Sequence, residues 1–332
     1  MNYMNTLLSI TILLMAGGVL AAEDVAVRNP ALPGFHADPS VIVHDGRIYA
    51  YATKDPWGGE DLGCFSTVDF KTWQSHKLNW PTLAACVSPT KSSAKVWAPE
   101  VIRGPDGRFY MYVSVGSEIY AGVASKPTGP WQNITGGKGP MVFTQADEGV
   151  HTIDASPFID EDGRIFLYWG SGLEWVNGHC LVVELEKDMH TFIGEPKDIT
   201  PPNYFEGPHM IKRRGKYYLM YSDGKAIDKT YKVRYSISDA PFGPFTEGKN
   251  SPILSTDENL GVYGPGHHCV FTLKGQDYIA YHRLDSPDNS DGVLREVCFQ
   301  KLIMDKDGWF EEIVLTDGTF EVAEDVLSNL SR

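Results

Sequence analysis

The chain has 332 residues, enough to bury a sizeable core as one large unit. Its 33 glycines and 21 prolines, about one residue in six, together with 12% aromatics, suit many turns and short strands. A formal net charge of −14, with no basic run longer than Lys212-Arg213-Arg214, excludes a nucleic-acid partner and disfavours strongly anionic substrates.

At the N-terminus, residues 1–22 carry an apolar run from Leu7 to Leu20 that ends in small residues. This reads as a secretory signal cut after Ala21 or Ala22, so the mature chain is expected to be secreted or periplasmic, without a membrane anchor. The run is short for a membrane span, and no Cys follows it to carry a lipid.

Beyond it, five stretches share one pattern: DPSVIVHDGRIYAYAT from Asp38, APEVIRGPDGRFYMYVS from Ala98, DASPFIDEDGRIFLYWG from Asp154, EGPHMIKRRGKYYLMYS from Glu206 and GHHCVFTLKGQDYIAYHR from Gly266. Each has an apolar strand, a polar turn ending in Gly and an aromatic-rich strand alternating with period two, which predicts a β-hairpin. The turn glycines, Gly46, Gly107, Gly163, Gly215 and Gly275, recur at steps of 61, 56, 52 and 60 residues. Repetition on this scale predicts an all-β protein, a five-bladed β-propeller filling residues 23–332 as one domain. Stretches 125–131 (SKPTGPW) and 238–245 (SDAPFGPF) read as matched outer connections, each with a turn and a buried aromatic.

Cys64, Cys86, Cys180, Cys269 and Cys298 show no zinc-ligand spacing. An oxidising compartment would allow a bridge, for which Cys64 and Cys86 in one Gly/Pro-rich stretch are the simplest pair. Cys180, Cys269 and Cys298 lie in apolar runs and read equally as buried small hydrophobes.

In a propeller the innermost strands line the axis, so residues entering the repeats point into one funnel. These are Asp38, Glu100, Asp154, Glu206 and His267, lying 8, 7, 9, 9 and 8 positions before their turn glycines. A single carboxylate at a strand start is usually a turn residue. Several gathered in one ring repel one another, and such clusters belong to sites that use them. A pair flanking a ligand can divide acid and base roles, as glycoside hydrolysis requires.

The segments NPALPGFHADPSV, VWAPEV, TIDASPFIDEDG, YFEGPHMIKRRGKYYLMYS, YGPGHHCVF and YHR, in that order across residues 29 to 283, resemble glycoside hydrolase family 43. The resemblance implies a five-bladed propeller enzyme acting by inversion on arabinose- and xylose-containing plant saccharides. It makes Asp38 the general base, Glu206 the general acid and Asp154 the group that orients the site and raises the pKa of the acid. Inversion then places Asp38 and Glu206 roughly 6.5–9.5 Å apart, and an ionised Asp154 with apolar Phe205 would keep Glu206 protonated. No cofactor is implied for the chemistry. His267 matches the His of GPGH, which implies an axial calcium held through water, with His268 the weaker candidate. Arg283 resembles the family Arg that reaches the first sugar, and Trp97, Phe35 and Trp169 are candidates for stacking on sugar. Trp73 reads as blade packing.

Many xylosidases of this family append a β-sandwich, and the sequence shows none after the last blade, which leans toward arabinose side chains or short oligosaccharides. Residues 51–70 form a loop expected to shape the pocket rim. The expectation is release of α-L-arabinofuranosyl or β-D-xylosyl units. The alternatives are an endo-1,5-α-L-arabinanase and a non-catalytic sugar-binding propeller, the latter disfavoured by the intact acid, base and modulator set.

Overall fold

A computed structural model describes residues 24–287, 293–316 and 318–324, with Leu327 and Leu330. The expected signal segment 1–22 lies outside the described residues.

The hairpin turns behave as their sequences predict. Asp45-Gly46, Arg214-Gly215 and Lys274-Gly275 all take positive φ and join strands in register, the mirror-image two-residue turn that matches strand twist. Gly107 and Gly163 close longer turns at the same place in their repeats.

Each hairpin grows outward into an antiparallel sheet. Blade one runs His36–His44, Arg47–Lys54, Gly63–Thr67 and Gln74–Ser75, and blade two Val96–Arg103, Phe109–Val115, Glu118–Ala124 and Gln132–Asn133. Blade three runs Ser156–Ile159, Ile165–Trp169, Leu181–Leu185 and Phe192–Asp198, and blade four Glu206–Arg213, Lys216–Asp223, Lys232–Ser238 and Thr246–Glu247. Blade five has three strands, Tyr263–Leu273, Gln276–Leu284 and Arg295–Leu302. The result is the five-bladed β-propeller.

The core is five apolar layers, one at each junction of neighbouring blades. Blade one meets blade five in a layer holding Ile48, Phe65, Phe271 and Phe299, so the ring closes. Asp24–Arg28 and Thr319–Ala323 pair antiparallel beside that junction and add Val27, Phe320 and Val322 to the layer. Asn29 locks the pair to blade five: its side chain donates to Phe299 O (2.7 Å) and accepts from Phe299 N (2.9 Å).

Trp73 packs as expected, stacked on Phe299 at 5.9 Å. Trp131 and Phe242, from the two matched connections, also sit in the layers between blades. The bridge between Cys64 and Cys86 does not form: all five cysteines are free thiols, each buried, as the apolar runs around Cys180, Cys269 and Cys298 suggested. Cys64 and Cys86 share one layer as small hydrophobes, and burial pushes both thiols up to about 12. Among the described residues no helix is long and apolar enough to cross a membrane.

Candidate active site

Every innermost strand is kinked at one level of the axis. Asp38 (φ 50°), Ala98 (44°), Asp154 (62°), Gly207 (61°) and His267 (41°) occupy the left-handed region, four at register breaks in the hairpin and Asp154 just before its strand. Such bulges re-aim side chains and release an N–H from the ladder. Each freed N–H donates to a side chain of the preceding blade. Asp38 N donates to His282 Nδ1 (3.1 Å), Ala98 N to Thr53 Oγ1 (2.8 Å), Asp154 N to Ser114 Oγ (3.1 Å) and His267 N to Ser222 Oγ (2.8 Å). In blade four the acceptor is Asp154 itself, which takes Gly207 N–H at 3.2 Å and so fixes the peptide following Glu206.

This corrects the ring read from the turn glycines. Ala98, not Glu100, holds the blade-two position. Glu100 lies two residues further along its strand, level with Ser40, Ser156, His209 and Cys269, where its Oε1 is 3.8 Å from His209 Nδ1. Burial there pushes its carboxyl up to about 8.

The remaining carboxyl groups sit in opposed environments. Asp38, 2% exposed, accepts from Thr53 Oγ1 (2.7 Å) and Arg295 Nη1 (3.2 Å), with His267 Nδ1 and His282 Nδ1 each at 3.2 Å. Burial alone would favour its neutral form, but the Arg295 guanidinium, aided by both histidines, holds it well below the ordinary carboxylate range. Arg295 is itself anchored by Asp55, with Nη2 to Oδ1 at 2.7 Å and Nε to Oδ2 at 3.0 Å.

Glu206, 8% exposed, accepts from Tyr231 OH at Oε1 (2.7 Å) and Ser171 Oγ at Oε2 (3.0 Å). Burial raises its pKa; Tyr231 opposes the rise and the Asp38 charge adds to it, leaving about 7. Asp154 is raised as well, by burial and then by Glu206, so these two carboxyls titrate as a pair. One carboxylate is thus held ionised while its neighbour retains a proton near neutrality, the condition for dividing base and acid work.

Glu206 forms part of a pocket of about 260 Å³ whose walls include Trp57, Trp97, His151, Ser171, Trp175 and Phe205. Rings run across it in sequence: Trp57 lies 6.2 Å from Trp175, which stacks on Phe205 at 5.9 Å, while Arg295 sits 4.7 Å over Trp57. Trp57 lies in residues 55–62, the connection left of the expected 51–70 loop once Arg47–Lys54 and Gly63–Thr67 have formed strands.

Of the aromatic candidates, Trp97 reaches this pocket, its indole donating to Gly116 O at 3.0 Å. Trp169 does not. It is fully buried between blades two and three, donating to Gln145 Oε1 (3.0 Å), because it falls on the layer-facing side of its strand. Phe35 is 41% exposed in a separate depression beside Trp73 and Glu296.

Arg283 also points elsewhere. It pairs with Glu296 at 3.3 Å, its direct register partner. One step along the same strand pair, Arg295 opposes Leu284 on the other face and is the arginine that reaches Asp38. Sequence reasoning passed over Arg295, Tyr231, Ser171, Trp57, Trp175 and His282. Of these, Arg295 left only a weak trace, a cation at the head of the strand REVCFQKL.

Asp154, Glu206 and His267 have ligand atoms within 4.8 Å of one another. Two oxygens and one nitrogen do not make the cage of six to eight oxygens that calcium takes, and His267 Nδ1 already faces Asp38. These residues do not fit a directly bound calcium. His268, the weaker candidate, is buried edge-on against His209, 5.9 Å ring to ring.

The model of the glycosyl hydrolases family 43 matches residues 27–310. The chain is 35% identical to a protein of Aspergillus niger named beta-D-galactofuranosidase, over 89% of this chain and 86% of that one. It is 28% identical to an arabinoxylan arabinofuranohydrolase of Paenibacillus polymyxa, over 83% of this chain and 50% of the relative. Among solved structures, a thermostable family-43 glycoside hydrolase superposes with a TM-score of 0.71 at 26% identity, over 88% of this chain and 97% of that one. A match over most of the ring, on relatives named for cleaving glycosidic bonds, establishes what the propeller and its carboxylates suggest: this chain belongs to glycosyl hydrolases family 43 and is a glycoside hydrolase.

Proposed function

We propose that this enzyme inverts the anomeric centre as it releases terminal α-L-arabinofuranosyl or β-D-xylosyl units from plant cell-wall saccharides. Glu206 gives its proton to the glycosidic oxygen as the bond from C1 to that oxygen breaks. Water attacks C1 from the opposite face and surrenders its proton to Asp38. Asp154 positions Glu206 through the Gly207 amide and shares its titration. The observation that carries this reading is the split between the two environments: Arg295 keeps Asp38 ionised, and burial keeps Glu206 protonated up to about 7.

The compact pocket, crossed by Trp57, Trp175 and Phe205, favours a chain end over the middle of a polymer. The two relatives described above are both named for furanosides. β-D-Galactofuranose has the ring configuration of α-L-arabinofuranose with a longer exocyclic arm, so the galactofuranoside is the second reading. We place the work outside the cytoplasm, on the strength of the apolar run before Ala21.

The test is release of 4-nitrophenol from the α-L-arabinofuranoside, the β-D-xyloside and the β-D-galactofuranoside, with linear arabinan alongside and Glu206→Ala as control. Cleavage of an aryl glycoside by the wild type alone supports exo-action and names the sugar. Cleavage of arabinan only, to oligosaccharides, would favour the endo-arabinanase, and binding without cleavage would remove the catalytic assignment.

A further inference from the structure

The pocket holding Glu206 continues into a second depression of about 420 Å³, the two sharing Trp57, Trp97 and His151. The remainder of that depression comes from the segment before the inner strand of blade two and from the turn at Gly116 and Ser117. Among the described residues its polar side chains are Lys91, Ser93, Lys95, Ser117 and His151, with no carboxylate in the lining. In a chain of net charge −14, this is a local reversal of sign next to the acid.

Both lysines are exposed, and among the described residues no carboxylate is paired with either ammonium. Lys95 Nζ donates to the Pro56 carbonyl (3.1 Å) beside Trp57, which holds its charge on the rim. The Lys91 charge is felt at His151, where burial first and Lys91 second push the ring down to about 4. His151 therefore stays neutral, with Nε2 3.0 Å from Ser117 Oγ, and the positive charge of the groove comes from the lysines alone.

A general acid at Glu206 protonates the leaving oxygen, so the departing part of the substrate lies on the Glu206 side, in the pocket that shares Trp57, Trp97 and His151 with the second depression. We propose that the groove between Lys91, Lys95 and Trp97 is the leaving-group subsite and that it takes a carboxylated saccharide, a backbone bearing uronic acid. This rests on the glycosidase reading above and adds the substrate class. Trp57 and Trp97 supply apolar faces for sugar rings and the two ammonium groups meet the carboxylate. The whole-chain charge argues against anionic ligands at long range, but salt screens it within about 10 Å, and at contact distance the lysines decide.

The experiment is calorimetric binding of three fragments, each made with sulfur-linked glycosidic bonds that the enzyme does not cleave: xylotriose, xylotriose carrying a glucuronosyl branch, and trigalacturonate. The wild type and a Lys91→Ala/Lys95→Ala double variant are compared at low and high salt. Two exposed charge pairs predict that a uronate-bearing fragment binds the wild type about threefold to tenfold more tightly than xylotriose at low salt. That preference should vanish in high salt and in the double variant. Preference for the branched xylotriose or for trigalacturonate supports the proposal and assigns the carboxylate to a xylan-type or a pectic backbone. Equal affinities, no binding of any fragment, or a preference that survives loss of both lysines would overturn it. Aryl-glycoside hydrolysis by the same wild-type sample, measured separately, shows whether the glycosidase reading itself stands.

Discussion

Asp38 and Glu206 are both buried carboxyls, yet their protonation diverges because one faces Arg295 and the other faces hydroxyls. The pH dependence follows with a definite sign. Activity needs Glu206 protonated, so kcat/KM should fall as pH rises through about 7. It needs Asp38 ionised, so the acid limb should lie below the ordinary carboxylate range. Glu206→Gln should lower kcat by about 10²–10⁴ on an alkyl glycoside and abolish the alkaline limb; a limb that persists in this variant would assign the acid elsewhere.

Glu100 provides a contrasting case. Its carboxyl rises from 4.5 to about 8 on folding, so between those values the folded state holds a proton that the unfolded state has lost. Stability should therefore fall as pH climbs from 5 to 8. Glu100→Gln should flatten that slope and be more stable than wild type at pH 8 by on the order of 1–3 kcal/mol. Denaturant melts at the two pH values check this, and aryl-glycosidase activity should survive, because Glu100 lies below the catalytic level.

At the scale of elements, the kink in each inner strand turns a generic hairpin into a site. Two aromatics flanking such strands separate packing from binding. Trp169→Ala should cost about 3–5 kcal/mol of stability, since it empties the layer between blades two and three. Trp97→Ala should leave the melting temperature close to wild type and reduce kcat/KM by about tenfold. If both variants lost stability alike, the assignment of Trp97 to the pocket would fail.

The hairpins themselves were legible in the sequence, because a polar turn ending in Gly between alternating apolar runs brings two strands together whether it closes in two residues or in more. The kinks were not. Glu100 looked equivalent to Asp38 by counting from the turn, and only the positive φ at Ala98 shows that the blade-two position is empty of charge.

Across the molecule, closure depends on strands from opposite ends of the described chain. Removing the residues through Arg28 would unpair Thr319–Ala323 and expose Phe320 and Val322 in the layer between blades one and five. Loss of that pairing and of buried Val27 should lower the melting temperature by about 5 °C or more. An unchanged melting curve would show that the ring closes without the terminal pair.

The sequence alone determined the β-rich class, the number of blades and the order of the carboxylates, since these follow from turn chemistry and period-two patterning, which act between near neighbours. Tertiary structure decided which side chains meet. Arg295 reaches Asp38 across 257 positions, Tyr231 and Ser171 converge on Glu206 from different blades, and Arg283 turns away. The physical reason is that a side chain's direction depends on the local kink and the face of its strand, and its partners are brought to it only when the ring closes.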